Sequence, residues 1–255
     1  MNEMQTLVRQ LGGPTSINSN CICQISVLQL AFDWFQPPNR NGTSPGGTGT
    51  GFLLDSLRGL RPDDRRIWIV TAHHVIACSE KIQLIFPAKS SEFIKAELIG
   101  CNADMDVAVI AIHAEDVGSD LHFLQTGDSD TLRINDKVTA YGFALGAPHI
   151  QSTVGSISAR RDLPSRLQTD CSVNPGNSGG PMLSDTNNHV IGLITSGLAN
   201  ANNINFAAPI KEVLLICGRI IQNWQPGKPV YDRVPSLNCS FTKLNRVLAD
   251  IEAGK

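Results

Sequence analysis

A serine hydroxyl becomes a useful nucleophile only when a neighbouring base takes its proton and a third group holds that base in the right tautomer. One stretch of this chain sets such a hydroxyl among glycines. It runs from Gln168 to Pro181, with Gly176-Asn177-Ser178-Gly179-Gly180-Pro181 at its centre. Glycines at those positions let the backbone fold tightly and bring N–H groups close to a reacting carbonyl, which is the layout of an acyl-transfer nucleophile. Pro-Gly and Ser-Gly pairs also mark ordinary loops, so the serine counts only if it has partners. A histidine lies upstream in Thr71-Ala72-His73-His74-Val75, directly after the apolar run Ile67-Trp68-Ile69-Val70. A carboxylate lies in Asp104-Met105-Asp106-Val107-Ala108-Val109-Ile110, where Asp106 enters a continuous strand-like apolar run.

With its His, Asp and Ser in that order, the chain resembles the trypsin-like serine proteases, and within them the HtrA/Deg branch. The resemblance runs from about Ile25 to Ile216. Thr71 to Val75 is similar to the family's Thr-x-x-His-Val, which selects His74 over His73, and Asp106-Val107-Ala108-Val109 to its Asp-Ile-Ala-Leu. Gly47-Thr48-Gly49-Thr50-Gly51-Phe52 resembles its glycine-rich strand before the histidine, and Ser152 to Ser158 its Thr-Val-Thr-x-Gly-Ile-Val-Ser hairpin. Past the serine, Val190 to Thr195 and Ile204 to Pro209 match in the same way.

The resemblance implies His74, Asp106 and Ser178 as the catalytic residues. It places the oxyanion hole at Gly176, Asn177 and Ser178, with the Gly176 and Ser178 N–H groups donating and Asn177 shaping the loop. The specificity pocket would be Ser172 at the base with Gly197 and Asn205 on its walls. Ser172 carries no charge to hold Arg or Lys, and Asn205 stands where the family has glycine, so the expectation is cleavage after small or aliphatic residues. Digestive trypsins have an aspartate before the serine that pairs with a newly cut amino terminus; Asn177 cannot form that ion pair. The family's mobile active-site loops correspond to Ala144–Gln151, Asp162–Gln168 and Ser196–Asn203.

Short strands separated by Gly, Pro, Asn and Asp, with little helical periodicity before residue 208, call for an all-β class. We expect two six-stranded antiparallel β-barrels of the chymotrypsin type with C-terminal helices. An extension 1–20 precedes a protease domain 21–216, with barrel one at about 21–118, barrel two at about 128–209 and a polar crossing at Glu115–Ser129. Strands are expected at Cys21–Phe35, Ile82–Phe86, Ala96–Ile99, Val107–Ile112, Lys137–Phe143, Ser152–Ala159, Gly180–Leu183, Val190–Thr195 and Asn203–Ala207. Gln36–Pro45 reads as an exposed loop, and the charged Ser56–Arg66 as a solvated hairpin. Lys211–Trp224 has helical apolar spacing, and Phe241, Leu244, Val247, Leu248 and Ile251 form a second helical pattern in the tail 217–255. That tail is too short for the PDZ domain common in HtrA proteins. Its stripe is expected to dock on the chain's own barrel, with a homo-oligomer contact or a regulatory partner as the alternative.

The 255 residues are 42% hydrophobic, enough for a packed core, and a net charge of −2 gives no reason to expect nucleic acid. The substrate expected is a protein or peptide. No metal or other cofactor is expected: Cys21-x-Cys23 lacks a second Cys/His pair, and neighbours such as His73 and His74 on a strand point to opposite faces. The first twenty residues do not read as a secretory signal and no run is long enough to span a membrane. Seven cysteines cannot all pair within the chain. The expected setting is therefore intracellular and cytoplasmic. Two further readings use the same residues: a binding or scaffold module on this fold whose oxyanion loop does not form, and an esterase with the same triad.

Overall fold

The computed structural model describes residues 19–30, 43–87, 92–118, 120–162, 165–197 and 203–233. Barrel one is built from β1 (Ile22–Leu30), β2 (Thr43–Phe52), β3 (Arg66–Thr71), β4 (Ser79–Ile85), β5 (Ile94–Asn102) and β6 (Val107–His113). Its antiparallel neighbours run β5-β4-β1-β2-β3-β6, and a β5–β6 pairing closes the ring. Barrel two comprises β7 (Lys137–Gly142), β8 (Gln151–Asp162), β9 (Ser165–Thr169), β10 (Pro181–Ser184), β11 (Val190–Gly197) and β12 (Asn205–Pro209). It closes in the order β10-β11-β12-β9-β8-β7. The all-β, double six-stranded barrel expected from the sequence is the architecture found.

The uninterrupted apolar run of β6 has a simple cause. Its side chains alternate, and both faces are covered. Ala108, Ile110 and Ile112 point into the lumen of barrel one with Ile25, Ile69 and Leu84. Val107, Val109 and Ala111 point outward into a layer shared with Phe143, Leu183 and Leu193 of barrel two. A third core, around Ile157, Leu167, Met182 and Ile194, fills barrel two.

That shared layer is completed by helix α2 (Ile210–Asn223), which follows β12 directly and buries Ile210, Val213, Ile216, Cys217, Ile220 and Ile221. The domain boundary expected at 216/217 falls inside this helix. α2 lies against β11 and β12 and also against β5, β6 and the short β13 (Val230–Asp232), which adds to the edge of barrel one parallel to β5. Arg219 pairs with Asp232 at 2.7 Å, fixing β13 to the helix. The Ser56–Arg66 segment is not merely solvated. Arg61 donates to the carbonyls of Ile221 (3.4 Å) and Trp224 (2.8 Å), capping the helix C-terminus, and the Arg61 and Arg66 guanidinia both lie over the Trp224 ring.

Other differences are local. Thr43–Pro45, expected in a loop, begin β2, and Ser165–Gln168, expected in a mobile loop, lie in β9, paired to both β8 and β12. The continuation of the first strand to Phe35, most of the 36–45 loop, residues 198–202 and the second tail helix at 241–251 lie outside the described residues. The crossing segment is pinned to both barrels: the Leu124 N–H donates to Leu53 O at 2.9 Å and the Gly127 N–H to Val190 O at 2.8 Å.

Candidate active site

The register of β3 against β6 sets the first half of the site. Thr71 lies opposite Ala108, so the residues just past Thr71 meet those just before Ala108. The chain leaves β3 into the single-turn helix α1 (His73–Ile76), and a tight turn at 103–106 precedes β6. Asp106 ends that turn with φ 57°, a left-handed conformation that Asp tolerates better than most residues. In that conformation its carboxylate reaches back to His74. Oδ2 lies 2.7 Å from His74 Nδ1 and Oδ1 accepts the His74 backbone N–H at 2.9 Å. The Asp106 carbonyl also accepts the His73 N–H at 3.2 Å.

An ionised carboxylate only accepts, so Nδ1 carries the proton and Nε2 is left as the basic nitrogen. The His74 side chain is 48% exposed and Asp106 19%, so the ring faces a cleft while its acid lies behind. His73 Nδ1 is buried without a partner and takes no part in this pair.

The second half comes from barrel two. The glycine-rich turn around Ser178 folds on itself through Asn177 N–H to Asn174 O and Gly180 N–H to Asn177 O, both 3.0 Å. It is tied to β11 by Gly179 N–H to Ile194 O (2.8 Å) and to β2 by Thr50 N–H to Ser178 O (2.9 Å). Gly176 sits at φ 100°, and a Cβ there would run into the Phe143 carbonyl, so no other residue fits. Among the described residues the N–H groups of Gly176 and Ser178 donate to no protein acceptor, whereas that of Asn177 is spent inside the turn. The Asn177 side chain is buried, with its Oδ1 unpaired.

Ser178 and His74 are not hydrogen-bonded. The Ser178 hydroxyl donates instead to the Thr195 carbonyl at 3.3 Å. The sequence places Thr195 in a strand and gives it no part in the site; a backbone acceptor leaves no trace in residue type. The structure also brings in Arg166 of β9, which donates to Asp104 O (3.1 Å) and Met105 Sδ (3.2 Å) across the seam between barrels. Burial lowers the pKa of this guanidinium, with the charges of Asp106 and Glu212 acting the other way.

The three residues expected to form the specificity pocket lie together. Gly197 pairs with Asn205 in the β11–β12 register, and the Asn205 amide donates to Cys171 O at 2.7 Å, beside Ser172. The Asn205 Oδ1 occupies the space in front of Gly197, 2.5 Å from where a Cβ would stand. Ser172 is exposed. Among the described residues no group of His, Cys, Asp or Glu is arranged to hold a metal ion.

The trypsin-like peptidase domain model matches residues 49–193, from the glycine-rich strand through the turn around Ser178. The chain belongs to that family. A probable periplasmic DegP-like serine endoprotease of Chlamydia trachomatis is 35% identical over 187 residues, 69% of this chain and 34% of that protein. The putative serine protease HhoB of Synechocystis is 28% identical over 86% of this chain and 51% of its own length. Protease Do-like 5, chloroplastic, of Arabidopsis thaliana is 34% identical over 66% of the chain and 55% of its own. The chain thus spans a third to about half of these relatives. Among solved structures, the serine endoprotease from Yersinia pestis superposes with a TM-score of 0.63 at 24% identity over 83% of this chain and 68% of that one. The HtrA-type protease AlgW with tripeptide gives 0.63 at 23% over 80% and 61%.

These relatives overturn the cytoplasmic, intracellular expectation. Those from Chlamydia trachomatis, Pseudomonas fulva and Pseudomonas savastanoi are named periplasmic. Unpaired cysteines do not call for a cytoplasmic setting here, for a physical reason. Cys21, Cys23, Cys101, Cys171 and Cys217 are free but buried, and burial raises their pKa, to about 12 for Cys21. Such thiols stay reduced in either compartment because they react poorly. Among the described residues no helix is long and apolar enough to cross a membrane.

Proposed function

We propose that the chain is a serine endopeptidase of the HtrA type, with Ser178 as nucleophile, His74 as general base and Asp106 as the acid that orients it. The observation that carries this reading is the double hold of Asp106 on His74, which leaves Nε2 free of a proton and facing the cleft. Catalysis begins when the Ser178 side chain leaves the Thr195 carbonyl and turns to Nε2. Nε2 takes the hydroxyl proton as Oγ bonds to the scissile carbonyl carbon, and the carbonyl oxygen becomes an oxyanion held by the Gly176 and Ser178 N–H groups. The imidazolium returns that proton to the departing amine. A water then repeats the sequence on the acyl-enzyme and restores Ser178.

The substrate is a protein or peptide. Asn205 in front of Gly197 leaves a shallow, uncharged pocket, which supports cleavage after small or aliphatic residues rather than basic ones. A homo-oligomer contact or regulatory partner through the tail remains part of the proposal, with 234–255 outside the described residues. A scaffold module with an unformed oxyanion loop is the weaker reading, because the two N–H groups it would have to lose have no competing acceptor among the described residues.

Reaction with a fluorophosphonate probe, followed by mass mapping, tests the reading. Modification of Ser178 in the wild type that vanishes in Ser178→Ala and His74→Ala is the expected result. A folded wild type that does not react rejects the peptidase.

A further inference from the structure

An oxyanion hole depends on the orientation of one peptide plane. In a trans peptide the C=O and N–H point in opposite directions, so a flip of the Pro175–Gly176 plane would aim a carbonyl, not a donor, at the developing charge. Gly176 has no side chain to resist that flip, and its φ of 100° gives it access to both arrangements. Something else has to hold the planes on either side of it.

Both holds trace to one buried hydroxyl on the other barrel. Thr50, on β2, is 0% exposed. Its Oγ1 donates to the Gly176 carbonyl at 2.7 Å, which fixes the Gly176–Asn177 plane. The same oxygen accepts the Phe143 N–H at 3.1 Å, which fixes the entry to the turn at Ala144–Gly146. From that turn the Leu145 N–H donates to the Pro175 carbonyl at 2.6 Å and holds the Pro175–Gly176 plane. Leu145 itself sits at φ 56°, costly for a leucine, so this turn keeps its shape only while its surroundings hold it. Thr50 is rigidly placed in turn: its N–H donates to Ser178 O (2.9 Å) and its carbonyl accepts the Thr71 hydroxyl (2.8 Å).

We propose that Thr50 is the positioning residue of the oxyanion hole, a relay that orients the Gly176 N–H from across the barrel seam. It touches no substrate and acts through Gly176 and Leu145. The inference rests on the peptidase reading. It specifies that serine works at position 50 and valine, of equal size and branching, does not.

The test compares Thr50→Val, Thr50→Ser and wild type on a peptide substrate, with a peptide aldehyde as an inhibitor that needs the hole. Thr50→Val is expected to lose about 10- to 10²-fold in kcat with KM little changed, and aldehyde affinity in parallel, while Thr50→Ser stays close to wild type. The acid limb of the pH profile should not move, since the His74–Asp106 pair is untouched. Hydrogen exchange at the Phe143 and Leu145 amides reads the clamp without turnover and should quicken in Thr50→Val alone. Wild-type kcat and aldehyde affinity in a folded Thr50→Val overturn the inference and leave the peptidase reading standing. So does a loss that Thr50→Ser shares. An inert wild type whose Phe143 and Leu145 amides still loosen in Thr50→Val would fail the peptidase reading while upholding the clamp.

Discussion

Asp106 grips His74 at two points, the ring Nδ1 at 2.7 Å and the backbone N–H at 2.9 Å, one carboxylate oxygen for each. The acid therefore sets both the tautomer of the imidazole and the position of the chain that carries it.

Replacing Asp106 with Asn tests both holds. The Asn amide oxygen can still accept only one of the two bonds, and its NH₂ favours the wrong tautomer of His74. Turnover should fall by about 10⁴ with KM changed far less, as expected for a group whose work is confined to the transition state. Steady-state kinetics on a peptide ester would settle it; a loss below tenfold would remove Asp106 from the mechanism.

Arg166 places a half-buried cation behind the same pair, bonded to Asp104 O and Met105 Sδ. The charged groups facing it are Asp106 and Glu212. Without Arg166 the 103–106 turn loses its hold from β9, so Arg166→Met should lower kcat on a peptide substrate with KM little changed. Wild-type kinetics in a folded Arg166→Met would mean that the turn keeps Asp106 in place without it.

Asn205→Gly tests the proposed pocket, since it removes the side chain whose amide donates to Cys171 O and should deepen the site. Profiling on a peptide library is expected to show preference moving from small aliphatic residues toward larger apolar ones by tenfold or so, about the worth of one or two methylenes in such a pocket. A variant that keeps the wild-type preference would place the specificity determinant elsewhere.

Asp130 offers a stability test away from the site. Its carboxylate is held below the usual range by hydrogen bonds from Lys211, at the start of α2, and Arg160 of β8. A carboxylate with a depressed folded pKa contributes stability above its unfolded pKa and loses it as pH falls through the folded value. Asp130→Asn should therefore lower the melting temperature at neutral pH, with the gap to wild type closing below about pH 4. A gap that does not depend on pH would assign the effect to packing.

Much of this arrangement was legible because it is written in residue type. A run buried on both faces must be apolar throughout, so β6 announces itself, and the acid at its head stands out by contrast. At Gly176 a positive φ coincides with a carbonyl standing where a Cβ would go, so only glycine serves and that turn announces itself too. What could not be read depends on partners far away in sequence. Ser165–Thr169 is polar enough to pass for a loop, and becomes a strand because β8 and β12 offer edges on both sides. Arg61 looks like surface charge until a helix ends beside it. Thr50 is one of two threonines between glycines on the same face of β2, and only its place further along the strand, against the Ser178 turn, buries it where Thr48 stays exposed.

The route of the chain after barrel two has a consequence for how the molecule responds to being cut. Because α2 buries its apolar face against barrel one and β13 pairs with β5, the two barrels are joined by more than the crossing segment. A break in the crossing at 115–129 would leave two fragments still gripping each other through the helix, its Arg61 cap and the β13–β5 ladder. Fragment one would carry His74 and Asp106 and fragment two Ser178, so reassembly from separate halves is the behaviour this topology leads one to expect.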